Sequence, residues 1–140
     1  GYVSVHGFPA FPGTGTADEI GEGAGEGTTR NIPLAVGADD SIFCTAFEGA
    51  LHEVASRLQP AVIIVAAGFD AHAADPLGGM RLTEAGFRRL SAAVTMAAER
   101  WSNGRILSFL EGGFDLQALA NCARIHVEEL ASGDVEKPDA

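Results

Sequence analysis

Cationic side chains are scarce in this chain. Nine Lys and Arg face nineteen Asp and Glu, for a net charge of −10. A surface that neutralises nucleic-acid phosphates needs clustered Lys and Arg, so no nucleic-acid partner is expected. Cysteine is nearly absent. Cys44 and Cys122 have no partner at a metal-ligand spacing, and both fall inside helical patterns, where they read as small buried hydrophobes. No apolar run is long enough to span a bilayer and no signal-peptide pattern occurs, so the chain is expected to be soluble and cytoplasmic, with no membrane partner. The glycine-rich segment 13–27 contains no G-x-G-x-x-G and no following Lys, and Asp18, Glu19, Glu22 and Glu26 would repel a phosphate. It reads as a packed surface loop rather than a nucleotide cradle.

What is present suits one globular domain. The 140 residues are 46% hydrophobic and 20% charged, enough for a core but short for two domains. The chain begins on Gly rather than Met and enters a strand almost at once, which reads as a piece of something longer. Residues 2–6 alternate as a strand, 7–28 form a long loop, and 29–34 form a second strand that Pro33 confines to an edge or a strand end. From Asp40, Phe43, Phe47, Leu51, Val54 and Leu58 mark one helical face, closed by Pro60. Thr83 is placed to cap a helix that buries Phe87, Leu90, Val94, Ala97 and Trp101, stopped by Asn103-Gly104. After a strand over 105–110, Asp115 is placed to cap a last helix carrying Leu116, Leu119, Ala123, Val127 and Leu130. Alternating strands and helices imply an α/β fold with a mainly parallel sheet and flanking helices. Residues 1–132 form the domain portion in this reading, and the polar residues 133–140 a loose tail.

The most informative stretch runs from Ala61 to Gly79. A continuous apolar run over 61–67 reads as a strand buried on both faces and ends in Gly68-Phe69-Asp70. In parallel sheets, ligands sit beyond the carboxyl ends of the strands, where Asp70 falls. Its carboxylate suits a metal or a cationic group there, and it equally suits a helix N-cap or a loop tether. The strand over 105–110 ends in matching punctuation, Glu111-Gly112-Gly113-Phe114-Asp115, so the two loops are expected to meet at one rim.

Seven short motifs, in order, carry a resemblance: Ser4-Val-His6, Phe11-Pro-Gly-Thr-Gly15, Gly21-Glu-Gly-Ala-Gly25, Asn31-Ile-Pro-Leu34, Ala67-Gly-Phe-Asp-Ala-His72, Asp75-Pro-Leu-Gly-Gly79 and Glu111-Gly-Gly113. From about residue 2 to 130 the chain resembles the C-terminal part of the zinc-dependent histone deacetylase superfamily, which includes acetoin-utilisation and acetylpolyamine amidohydrolase-like proteins. The resemblance implies an arginase-like three-layer α/β fold, here partial. It also implies zinc-assisted hydrolysis of an acetyl-amide on a lysine or polyamine.

Residue by residue, the resemblance makes Asp70 a zinc ligand. It makes Phe11 and Leu77 walls of the substrate channel, and Gly112 and Gly113 the loop flooring the pocket. Ser4 and the Val5 carbonyl resemble ligands of a monovalent cation such as potassium. The family's other two zinc ligands, in an Asp-x-His motif, and its catalytic His pair have no counterpart here, and a catalytic zinc uses three protein ligands. None of His6, His52, His72 and His126 replaces them. Each reads as packing or surface, with His72 the best stray candidate because it lies two residues from Asp70. Phe114 stands where the family usually has a Tyr whose hydroxyl stabilises the oxyanion, and losing such a donor costs roughly 10²–10³ in turnover. The chain alone is therefore expected to be inactive. The alternative is a noncatalytic α/β binding or assembly module. Half a sheet would leave an unpaired edge, through which two copies could form a homo-oligomer.

Overall fold

The structure is a computed structural model that describes residues 1–9 and 13–132. Phe11 and the expected tail therefore lie outside the described residues. In chain order the elements are β1 (Tyr2–Gly7), β2 (Thr29–Leu34), α1 (Asp40–Leu58), β3 (Ile63–Gly68), α2 (Glu84–Ser102), β4 (Ile106–Gly112) and α3 (Leu116–Ala131). A 3-10 turn at Gly23–Gly25 interrupts the long loop after β1.

Local chemistry sets the helix starts. Asp39 Oδ1 accepts the Ile42 amide at 3.1 Å, Thr83 Oγ1 the Gly86 amide at 3.4 Å, and Asp115 Oδ1 the Ala118 amide at 2.8 Å. Each bond satisfies an amide that the first helical turn leaves without a partner. α1 and α2 end on Gln59 and Asn103 in the left-handed conformation, with φ of 46° and 50°. The loop between β1 and β2 is held from below by buried Asn31, whose Nδ2 donates to the Thr16 and Glu19 carbonyls. Glu19 Oε1 in turn accepts the Gly15 and Thr16 amides.

The strands are parallel, as expected, but they form two pairs rather than one ladder among the described residues: β1 with β2, and β3 with β4. Pro33 lies opposite His6 near the end of β2, the position expected for a residue that cannot donate to a ladder. α2 packs against both α1 and α3. The core gathers Phe43, Phe69, Leu82, Phe87 and Cys122 between these elements.

Three expectations are corrected. The strand read as buried on both faces is covered on one only. Ala67 is buried and Val65 packs on the core, whereas Ile64 is 64% exposed. Leu107 and Phe109 on β4 share that open face. The helices lie against one side of this pair, and no described element covers the other. On α3, Leu116 and Val127 face solvent, while Ala118, Cys122, Ile125 and His126 are buried. The helix carries two apolar stripes, and the one with small residues is the one that approaches α2 closely. Leu58, the last residue of the α1 face, is also exposed, because it sits on the final turn.

Candidate metal-site rim

Asp70 emerges directly from the end of β3. Pairing with β4 shifts between Ala67 and Gly68: Ala67 lies opposite Leu110 and Gly68 opposite Gly112, which skips Glu111. Such a bulge bends the strand end and re-aims its side chains. Phe69 closes the shift by donating its amide to the Gly112 carbonyl at 2.9 Å. The Phe69 ring is buried against Phe87, at 5.3 Å between centroids, and His126, at 6.0 Å. With Phe69 locked inward, half-buried Asp70 begins the turn at the rim.

Two glycines make room for the Asp70 carboxylate. A Cβ on Gly68 would stand 3.2 Å from Oδ1, and one on Gly112 would stand 3.3 Å from Oδ2. Among the described residues, no group donates a hydrogen bond to this carboxylate, and no helix starts at it. The N-cap and tether readings of Asp70 therefore do not describe its surroundings. Gly113 adopts φ 137°, and a Cβ there would press Leu119 Cδ1 at 3.1 Å, so the floor loop needs glycine at that position.

The tether is Asp75, which opens the Asp75-Pro-Leu-Gly-Gly79 motif and has no role implied by the resemblance. Its Oδ1 accepts the Leu77 and Gly78 amides at 2.9 and 3.0 Å, and its Oδ2 accepts the Phe114 amide at 2.7 Å. Partial burial pushes the Asp75 carboxyl up, but bonds from the Phe114, Leu77, Gly78 and Asp115 amides outweigh it and hold the pKa below the ordinary value. Gly78 lies so near the Asp70 peptide that a Cβ would fall 1.6 Å from the Asp70 carbonyl oxygen.

Each histidine is accounted for by packing. His6 Nε2 donates to the Gly15 carbonyl at 3.0 Å, so its Nδ1 accepts the Ser4 hydroxyl at 2.9 Å. His72 stacks on Phe87. Its Nδ1 accepts the Ala74 amide at 3.1 Å, and its Nε2 lies 3.4 Å from Glu84 Oε2 without an aligned hydrogen bond. His126 is buried between two serines. Ser91 donates to the Phe87 carbonyl and accepts from Nδ1, and Ser108 donates to Nε2, both at 2.8 Å. Burial pushes its pKa below the ordinary value. His52 meets the Trp101 ring edge-on at 5.4 Å. Cys44 and Cys122 are fully buried, and burial pushes both thiols up to about 11, away from the reactive thiolate.

The structure thus brings Asp70, Leu77, Gly112, Gly113 and Phe114 to one rim. Leu77 and Phe114 are 71% and 58% exposed there. Ser4 and Val5 lie on β1, in the other strand pair. Among the described residues no three His, Cys, Asp or Glu side chains converge to hold a metal. An open groove of about 620 Å³ lies instead between α1 and β2, lined by Arg30, Asn31, Thr45, Gly49 and Glu53 among others, and includes no rim residue. No helix among the described residues is long and apolar enough to cross a membrane.

A family model described as "Histone deacetylase domain" matches residues 1–130. The chain belongs to the histone deacetylase family. It is 41% identical over 120 residues to histone deacetylase 10, chloroplastic, of Oryza sativa subsp. japonica, covering 86% of this chain and 27% of that protein. It is 37% identical over 130 residues to the histone deacetylase-like amidohydrolase of Pseudomonas aeruginosa, covering 92% of this chain and 34% of that protein. Among solved structures it superimposes on the HDA15 HD domain with a TM-score of 0.85 at 34% identity, covering 99% of this chain and 39% of that one. It superimposes on acetylpolyamine aminohydrolase from Burkholderia pseudomallei with a TM-score of 0.82 at 30% identity, covering 94% and 38%. The architecture is therefore the arginase-like α/β fold of histone deacetylase domains, and the chain spans about a quarter to a third of the curated relatives described here.

Proposed function

We propose that this histone deacetylase segment supplies the carboxyl-terminal wall of a zinc-dependent deacetylase site that hydrolyses acetylated lysine or polyamine amides, and that it is inactive alone. The observation that carries this reading is the Asp70 carboxylate, set between Gly68 and Gly112 at the end of β3 and accepting no hydrogen bond from any described residue. A half-buried carboxylate without a donor is costly unless a cation shares it, so the residue fits a metal ligand. Zinc, when bound, supplies Lewis-acid activation of water and of the amide carbonyl. One carboxylate is one of the three protein ligands such a site uses, so two more come from outside this chain.

The chain's own residues then have distinct roles. Gly112 lets the end of β4 approach Asp70 closely, Gly113 lets the floor loop turn beside Leu119, and Leu77 lines an apolar channel suited to a methylene chain, the role also proposed for Phe11. Ser4 gives its proton to His6 and keeps its oxygen lone pairs for a monovalent cation, potassium, shared with the Val5 carbonyl. Phe114 offers the substrate no hydroxyl, so the complete site is slow on acetyl-lysine. Cytoplasmic placement belongs to the same proposal and is checked by fractionation.

Phe114 also favours a second reading, a noncatalytic α/β assembly module in which the open face around Ile64, Leu107 and Phe109 docks a second copy. One experiment separates the two. Zinc titration by calorimetry, with the domain completed by an upstream segment bearing an Asp-x-His motif, gives tight binding that Asp70→Asn weakens at least tenfold, together with turnover of an acetyl-lysine peptide. No zinc binding and no turnover in the completed domain supports the module.

A further inference from the structure

We infer that Asp75 is a positioning residue that fixes where residue 114 stands relative to Asp70. The catalytic consequence rests on the deacetylase reading above; the geometry does not. Asp70 and Phe114 belong to separate strand-to-helix units, and the Phe114 side chain cannot anchor itself, being 58% exposed beside Leu116 at 80%. Two bonds tie the units together at the rim. Phe69 donates to the Gly112 carbonyl, and Phe114 donates to Asp75 Oδ2 at 2.7 Å.

The other end of Asp75 is equally fixed. Its Oδ1 is held by Leu77 and Gly78, and its own amide donates to the His72 carbonyl at 2.9 Å. Gly78 then rests directly on the Asp70 peptide, leaving no space for a side chain. A continuous path therefore runs from the Asp70 backbone through Gly78 and the Asp75 carboxylate to the Phe114 amide. A carboxylate suits this place because it only accepts, and three amides with one orientation each point at it. An Asn would turn two N–H donors toward one side of that set, so at least one amide loses its acceptor.

The test uses this chain and reads amide hydrogen exchange residue by residue in the native protein, Asp75→Asn and Asp75→Glu. In Asp75→Asn, exchange at Phe114, Leu77 or Gly78 quickens roughly tenfold or more, as expected for losing a hydrogen bond to a charged acceptor. The core amides of Ala98 and Cys122 keep their rates. Asp75→Glu, still an acceptor, restores protection at Phe114 at least in part. Unchanged exchange at all three rim amides, or equal acceleration throughout the core, overturns the inference. In the completed domain carrying Phe114→Tyr, where residue 114 has a hydroxyl to place, Asp75→Asn lowers kcat by about 10²-fold with KM held, the scale expected when a group moves by about 1 Å. Unchanged kcat in an active domain also overturns it. If the completed domain with native Asp75 shows no turnover, the deacetylase reading fails, and the exchange rates still decide the role of Asp75.

Discussion

The same substitution at two glycines should act with opposite signs. Gly78 sits under the Asp70 peptide, where an added Cβ would lie 1.6 Å from the carbonyl oxygen and 2.6 Å from the carbonyl carbon. Ordinary contact begins near 3.4 Å, so the turn or the Asp70 peptide must retreat. Backbone cannot swing aside as a side chain does, and Phe69 and Leu82, both buried, pin the segment on either side. Moving the turn also strains the Asp75 bonds to Leu77 and Gly78. Gly78→Ala is therefore expected to cost about 3 kcal/mol, the upper end for overpacking. Gly49 lies inside α1 with nothing within 4 Å of its missing Cβ. Gly49→Ala is expected to stabilise by about 0.5–1 kcal/mol, through helix propensity alone. Urea denaturation of both variants, followed by far-UV circular dichroism, measures the two shifts on one background. A loss below about 1 kcal/mol for Gly78→Ala would refute the close approach of the turn to Asp70. Destabilisation by Gly49→Ala would refute the open helix face.

In the completed domain, Phe114→Tyr restores a hydroxyl at the rim and should raise turnover of an acetyl-lysine peptide by about 10²–10³; unchanged kcat removes residue 114 from the chemistry. Asp115→Ala deprives the Ala118 amide of its acceptor and should cost about 1 kcal/mol in urea denaturation, with helix α3 fraying first by amide exchange. Burial holds the His126 pKa below 6.5, so below that value the unfolded chain binds the proton more readily. Stability is then full above pH 6.5 and falls as pH drops toward the folded-state value, a slope that His126→Gln should flatten. Ile64→Lys with Phe109→Lys should reduce dye binding and self-association in sedimentation velocity, because both side chains lie on the uncovered face; an unassociated native chain that binds no dye would contradict that assignment.

The parts of the fold legible in the sequence were those set by neighbours in the chain. Thr83 and Asp115 announce their helices because a cap bonds an amide three residues on, and Pro33 limits β2 because it lacks an amide altogether. The α3 stripe misled because Leu116 and Val127 are as apolar as the buried set, and only the approach of α2 decides between them. The β3 run misled for a related reason. A continuous apolar run does not say how many faces a neighbouring element covers, and among the described residues only one face of β3 is covered. The place of Asp70 just beyond the end of β3 was legible from the apolar run before it. Asp75 had half a signal: Asp-Pro-Leu-Gly is a turn in which the carboxylate bonds its own following amides. Its bond to Phe114, 39 residues on, is tertiary and has no local trace.

At the rim, two carboxylates of one segment divide the labour between them. Asp70 is positioned by what is absent around it, side chains at Gly68, Gly78 and Gly112, so its carboxylate stays available. Asp75 is positioned by what is present, amides from its own turn and from the opposite loop, so its charge is already used. Two aspartates five residues apart thereby have opposite surroundings. A carboxylate surrounded by donors makes a poor metal ligand because each amide competes for its lone pairs, while one with no donors is poised to share them. Exchanging those surroundings is a direct check on the argument: a donor placed beside Asp70, as in Gly112→Ser, should weaken zinc binding in the completed domain even though every ligand remains.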